Sequence, residues 1–198
     1  MKIVIATHNQ HKLNEMREYL KDLPYNFISL DEFPQIDEIE ETGETLKENS
    51  FTKARTVNRI TNLPAIADDT GLEVDFLNGA PGIRSARFAG ENATSKNNVN
   101  LLLNKLIDIP DAERTARFRT VISLVSNKDE YWVEGVAEGK IIREPTGKQG
   151  FGYDSIFYYP PLRKTFAELS MEEKNKISHR GLALQKFRIL LGKINLDT

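Results

Sequence analysis

The opening residues constrain the fold more than any other stretch of the chain. Ile3-Val4-Ile5-Ala6 is a short unbroken apolar run, and polar Thr7-His8-Asn9-Gln10 follows it at once. A run this short, without alternation, suits a strand covered on both faces. Leu13, Met16 and Leu20 then recur at helical spacing, so residues 11–22 read as an amphipathic helix that Pro24 stops. Asn26 to Leu30 is the next expected strand. A strand buried on both faces requires layers on either side of its sheet, and the helices are the available cover.

The same reading extends along the chain. Residues 31–44 are acidic and turn-rich, and Thr45-Leu46-Lys47-Glu48 has the form of a capping box opening a helix over 46–60, with Leu46, Ala54 and Val57 toward the core. Pro64 to Ala67 reads as a buried strand ending in Asp68-Asp69-Thr70-Gly71, with a separate half-buried strand through Leu72, Val74 and Phe76. Asn78 to Gly82 is loop chemistry. A helix is expected over 95–107 and a strand through Ala116 to Leu124. Two further strands, 131–137 and 139–143, would complete an antiparallel meander; after a Gly/Pro loop, 153–159 reads as another strand. Ser170-Met171-Glu172-Glu173 opens a helix, and a last helix runs from 178 to 191. Strand–helix units followed by a meander predict an α/β or α+β fold with a mixed sheet. No Gly-, Ser- or Pro-rich linker divides residues 1–198, so a single domain with a cleft is expected.

Composition narrows the chemistry. Lys and Arg number 27 against 29 Asp and Glu, so the chain has no overall basic excess of the kind a nucleic-acid binder shows. The absence of cysteine excludes disulfides, cysteine zinc sites, iron–sulfur clusters and thiol catalysis. His8, His11 and His179 are too few and too scattered for a histidine-rich zinc site. A metal would therefore be held by carboxylates, which favours magnesium, manganese or calcium. No apolar run approaches a membrane span, and the N-terminus lacks the apolar region of a signal peptide, so a cytoplasmic location is the expectation.

Five constellations could carry chemistry. Thr7, Asn9 and Lys12 lie at a strand-to-helix turn, where free N–H groups suit a phosphate; they equally suit a simple helix cap with a solvated lysine. Asp68-Asp69-Thr70-Gly71 places adjacent carboxylates at a strand end, either as a cation site or as a solvated turn. If the segment is extended, only one of the pair faces a given side. Glu40 and Glu41 belong to a charge run that matters only if it folds back onto Asp69. Gly150-Phe151-Gly152-Tyr153-Asp154 offers aromatics to a flat base, or a bend with core aromatics. Lys174-Asn175 with Ser178-His179-Arg180-Gly181 groups donors that can grip an anion or keto oxygen, or cap two surface helices. No P-loop, dinucleotide fingerprint or H-E-x-x-H motif is present.

As an ordered set these segments are specific. With Glu48-Asn49, Lys53-Ala54, Gly79-Ala80-Pro81-Gly82 and Ser85-Ala86-Arg87 between them, the chain closely resembles the inosine triphosphate pyrophosphatase family from residue 3 to about 190. The resemblance implies an elongated α/β fold of two lobes around a nucleotide-binding cleft, with a central mixed β-sheet flanked by helices. It implies a magnesium-dependent homodimer that converts ITP, dITP or XTP to the monophosphate and pyrophosphate. The triphosphate grip would fall on Thr7, His8, Asn9, Gln10, His11 and Lys12, with Lys53. Glu40 and Asp69 would hold the metal, Asp69 would act as general base and Thr70 would touch substrate. Phe151, Gly152, Tyr153, Asp154, Lys174, His179 and Arg180 would line the base and sugar region. Thr70 stands where the family usually has Ser, and Ser155 where it usually has Pro. A cation beside Asp69 would hold its pKa low. The alternatives are a pyrophosphatase for other modified nucleotides, or a nucleotide-binding module without catalysis. Neither a nucleic acid nor a membrane is an expected partner.

Overall fold

The computed structural model describes residues 1–194 and 196. In chain order the main elements are β1 (Lys2–Ile5), α1 (Gln10–Leu20), β2 (Asn26–Ser29), α2 (Leu46–Thr61), β3 (Ala65–Val74), β4 (Pro81–Gly82), α3 (Ser95–Lys105), β5 (Thr115–Val125), β6 (Glu130–Ile141), β7 (Phe157–Tyr159), β8 (Lys164–Thr165), α4 (Met171–Ile177) and α5 (His179–Leu191). The sheet is mixed: β1 pairs parallel with β2 and β3, while β3–β4, β6–β7 and β7–β8 are antiparallel. The expected mixed sheet flanked by helices is what the chain forms.

Two compact units divide the chain. The first takes residues 1–69, 120–135 and the segment from Ala183 on; the second takes 70–119 and 136–182. In the first unit the strand order is β2-β1-β3-β5-β6. Its sheet is covered on both faces, and the pleat sorts the side chains. Ile3, Ile5 and Ile66 join Leu13, Met16 and Leu20 of α1 and Ala183, Leu184 and Phe187 of α5. Val4, Ala6, Ala65 and Ala67 point the other way, to Phe51, Ala54 and Val57 of α2. This explains the unbroken apolar run at the N-terminus: each residue from Ile3 to Ala6 joins a core shared with a helix.

In the second unit the order is β3-β5-β6-β7-β8, with β4 beside β3. Val99, Leu102 and Leu106 from α3 and the segment after it pack with Phe118, Tyr153, Phe157 and Phe166. Arg114 is buried here, and its guanidinium donates to the carbonyls of Leu106, Ile141 and Ile142. Those bonds meet the condition for burying a cation, namely that its donors are used.

Three expectations require correction. Pro64–Ala67 and Leu72–Phe76 are not separate strands around a turn; β3 runs unbroken through Asp68-Asp69-Thr70-Gly71. Gly71 is not a positive-φ glycine, and both aspartates are buried, so the solvated-turn reading fails. The strands expected at 131–137 and 139–143 are one strand, β6. Gly139 lies inside it because a Cβ there would stand 2.6 Å from the Phe157 ring. Residues 151–156 form turns, so the strand expected from 153 begins only at Phe157. The helix expectations hold, with capping boxes at Thr45/Glu48 and Ser170/Glu173.

Candidate active site

In the first unit, the pleat of β3 decides what each aspartate meets. Asp68 shares the parity of Ile66 and so faces α1; Asp69 shares that of Ala65 and Ala67 and so faces α2. Accordingly Lys12 of α1 lies 3.1 Å from Asp68, and Lys53 of α2 lies 3.5 Å from Asp69. Lys53 is also 2.5 Å from Glu41. The acidic run thus folds back toward Asp69, with Glu41 as the carboxylate that reaches Lys53. Glu40 is exposed on the same loop, and among the described residues its carboxylate makes no hydrogen bond or ion pair.

Burial sets the electrostatics. Asp69 is 5% exposed, and burial is the main reason that its pKa is raised. Lys53 and Lys12 pull it back, while Glu41 and Asp68 push it further up. The fold by itself therefore does not produce the low value expected beside a cation. Burial lowers the Lys53 pKa, but Asp69, Asp68 and Glu41 together outweigh it and the net shift is upward. Lys53 is a fixed cation. Ser50 anchors this region from behind: its hydroxyl bonds the carbonyl of Ala67 at 2.9 Å and the hydroxyl of Ser123 at 2.8 Å.

At the strand-to-helix turn, Asn9 is the cap of α1. Its Oδ1 accepts the N–H groups of His11 and Lys12 at 3.0 and 3.2 Å, and Thr7 Oγ1 accepts the Asn9 N–H at 3.2 Å. The cap reading holds for Asn9, whereas the solvated reading fails for Lys12. His8, Gln10 and His11 are exposed around the turn.

A second cluster belongs to the second unit. Lys174 of α4 is 7% exposed and donates to Asp154 at 2.6 Å; the same carboxylate oxygen accepts the Phe151 N–H at 2.8 Å. Gly150 has φ +73°, and a Cβ there would strike that oxygen at 2.1 Å, so glycine is required beside the pair. Phe151 is partly exposed, with the cations of Lys174 and Arg180 at 5.2 and 5.7 Å from its ring centre. His179 stacks on Phe118 at 4.5 Å, and Arg180 reaches the Thr70 hydroxyl at 3.4 Å. Ser178 Oγ accepts the Gly181 N–H, which aligns the first turn of α5. Tyr153 differs from its expected place on a base-binding surface. It is a core residue, its hydroxyl donating to the Ser85 carbonyl at 2.9 Å, and burial raises its pKa.

The residue pattern leaves Glu40 and Glu41 equivalent, because nothing local distinguishes two consecutive loop glutamates; a metal role for Glu40 is what the family resemblance implies. The pattern also assigns no partner to Lys12, although a continuous strand through Asp68 would have indicated one on the α1 face. Ion pairs this buried are poor sources of stability, since desolvation offsets the attraction. Their recurrence at Lys12–Asp68, Lys53–Asp69 and Lys174–Asp154 therefore points to function.

Within the first unit, strand-borne buried acids beside lysines define chemistry suited to a phosphate ester. The sequence pattern of the Ham1 family matches residues 3–190, and the chain belongs to that family. A dITP/XTP pyrophosphatase of Thermoanaerobacter sp. (strain X514) is 50% identical over 188 residues, 95% of each chain. Among solved structures, a HAM1 protein from Coxiella burnetii superposes with TM-score 0.92 at 47% identity, covering 98% of this chain and 100% of that one. The Staphylococcus aureus Ham1 protein gives 0.88 at 42% identity, covering 97% and 98%.

Proposed function

We propose that this protein is a nucleoside triphosphate pyrophosphatase that hydrolyses the deaminated purine nucleotides ITP, dITP and XTP to the monophosphate and pyrophosphate. Near-full-length relatives named dITP/XTP pyrophosphatase support the reading. The observation that carries it is Asp69, a buried carboxylate beside Lys53 whose Oδ2 has no hydrogen-bond partner. A buried oxygen of that kind is held for something that arrives with the substrate.

The reaction requires water to attack a crowded polyanion, so positive charge must be in place beforehand. Lys12 and Lys53 supply it in the first unit, and the turn from Thr7 to Lys12 adds the exposed side chains of His8, Gln10 and His11. Water attacks the α-phosphorus, the bond to the α–β bridging oxygen breaks, and pyrophosphate leaves with the electron pair. Asp69, whose buried Oδ2 has no hydrogen-bond partner, accepts the proton of the attacking water.

Magnesium fits the donor set. It commonly takes one or two carboxylates and fills its other positions with water and phosphate oxygens. Asp69 and the exposed Glu40 would hold it, with Glu41 occupied by Lys53. Among the described residues no group of three or more metal-binding side chains is assembled, which suits an ion that arrives with its nucleotide. When bound, the ion would offset phosphate charge and acidify water.

Phe151 offers a face for a purine, and Arg180 and His179 offer donors for O6, which hypoxanthine and xanthine carry as an acceptor and adenine lacks. Tyr153 would shape this region from the core. The proposal includes a homodimer in the cytoplasm; no helix among the described residues is long and apolar enough to cross a membrane. Pyrophosphate release should be fast from ITP and XTP, slow from GTP and ATP, and abolished by removing magnesium. Equal rates on all four would overturn the substrate class. Arg180→Ala should narrow the ITP/ATP ratio of kcat/KM by about tenfold or more; an unchanged ratio would remove Arg180 from base selection.

A further inference from the structure

Asn49 is 0% exposed and stands at the acidic loop. It lies four residues before Lys53 on α2, so both side chains share one face of the helix. Asn49 Oδ1 accepts the Gly43 N–H at 2.8 Å. A Cβ on residue 43 would lie 2.7 Å from that same oxygen, so the approach depends on glycine. Lys53 grips the loop two residues earlier, through Glu41. One helix face thus holds the acidic loop at two points. The other end of the Asn49 amide is not used: Nδ2 is buried without a hydrogen-bond partner. A buried unpaired donor carries a desolvation penalty that an apolar side chain would avoid. Anchoring Gly43 needs only the oxygen, so the nitrogen calls for a separate explanation.

We propose that Asn49 is a positioning and substrate-binding residue of the hydrolytic site. Its Oδ1 fixes Gly43, and with it the loop bearing Glu40 and Glu41, while its Nδ2 donates to an oxygen of the bound triphosphate. This deepens the pyrophosphatase reading and rests on it. The two functions separate by substitution. Asn49→Asp keeps an acceptor for Gly43 but removes the donor; Asn49→Ala removes both; Gly43→Ala leaves Asn49 in place and forces the loop away.

The test combines amide hydrogen exchange of residues 41–43 with kcat and KM for ITP. In Asn49→Ala, exchange at Gly43 should quicken at least tenfold and kcat should fall at least tenfold, a misplaced carboxylate being costly. In Asn49→Asp, exchange should match wild type while KM rises at least tenfold. Gly43→Ala should reproduce the loss of kcat with KM little changed, and it decides the anchoring claim if Asn49→Ala fails to fold. Wild-type kcat in both Asn49→Ala and Gly43→Ala, or unaltered exchange in Asn49→Ala, overturns the anchor. Wild-type KM in Asn49→Asp overturns the donor. Should the wild-type protein release no pyrophosphate from ITP, the pyrophosphatase reading and the donor fall together. The exchange comparison would still decide the anchor.

Discussion

Asp69→Asn should lower ITP turnover on the order of 10³-fold while the protein stays folded. The change keeps the shape of the side chain and one oxygen, so β3 and its neighbours need not move. It removes the charge beside Lys53, but Lys53 retains its closer partner Glu41 at 2.5 Å. No buried lysine is therefore stranded. The buried oxygen without a partner is what makes the loss large: Oδ2 is the atom positioned to take a proton or face a cation, and an amide nitrogen in its place can do neither. Pyrophosphate release and thermal melting, measured on the same preparation, separate the two effects. Turnover near wild type would remove Asp69 from the chemistry; a collapsed melting transition would show that its first duty is structural.

Asp154→Ala should cost about 3–5 kcal/mol of unfolding free energy, because it leaves a buried cation unpaired. The side chains of Lys174 and Asp154 are 9% and 4% exposed, so water cannot take over the lost contact. The Phe151 N–H loses its acceptor as well. Asp154→Asn should cost less, since an amide oxygen can still accept that N–H. Removing both partners, as Asp154→Leu with Lys174→Met, should recover much of the loss, because two apolar groups carry no desolvation debt. Urea unfolding with the linear extrapolation reads all three. A cost under about 1 kcal/mol for Asp154→Ala would mean that the pair is worth no more than a surface salt bridge. The stable double variant should nonetheless discriminate ITP from ATP poorly, having lost the carboxylate that holds the Phe151 turn and a cation near its ring.

These two cases differ in how much of each was legible from the chain. The Asp68-Asp69 pair stands out by its place after a buried strand, and the family resemblance implies that Asp69 is the working member. Its partner Lys53 also belonged to the motif set, but their approach depends on which way the pleat turns, and that required knowing that β3 continues unbroken to Val74. The aspartate-threonine-glycine sequence looks like a turn because those residues favour turns. Pairing of β3 with its neighbours overrides the local preference. Likewise Gly139 reads as a break between strands, whereas it clears space for Phe157. Helix starts were predictable because capping is local: Thr45 with Glu48, and Ser170 with Glu173, satisfy their own backbone within four residues.

By itself, then, the amino-acid sequence determined the alternation of strands and helices, the caps, the exclusion of thiol and zinc chemistry, and the set of acids, lysines and aromatics available for catalysis. Those follow from periodicity and residue chemistry, which act over a few positions. Only the tertiary structure decided that Asp68 turns to Lys12 and Asp69 to Lys53, that Glu41 rather than its neighbour reaches the lysine, that Tyr153 belongs to the core, and that Asn49 stands buried at the acidic loop with half of its amide unused. Each of these depends on strand pairing and helix packing between residues far apart in the chain, where the choice between adjacent candidates rests on which face is covered.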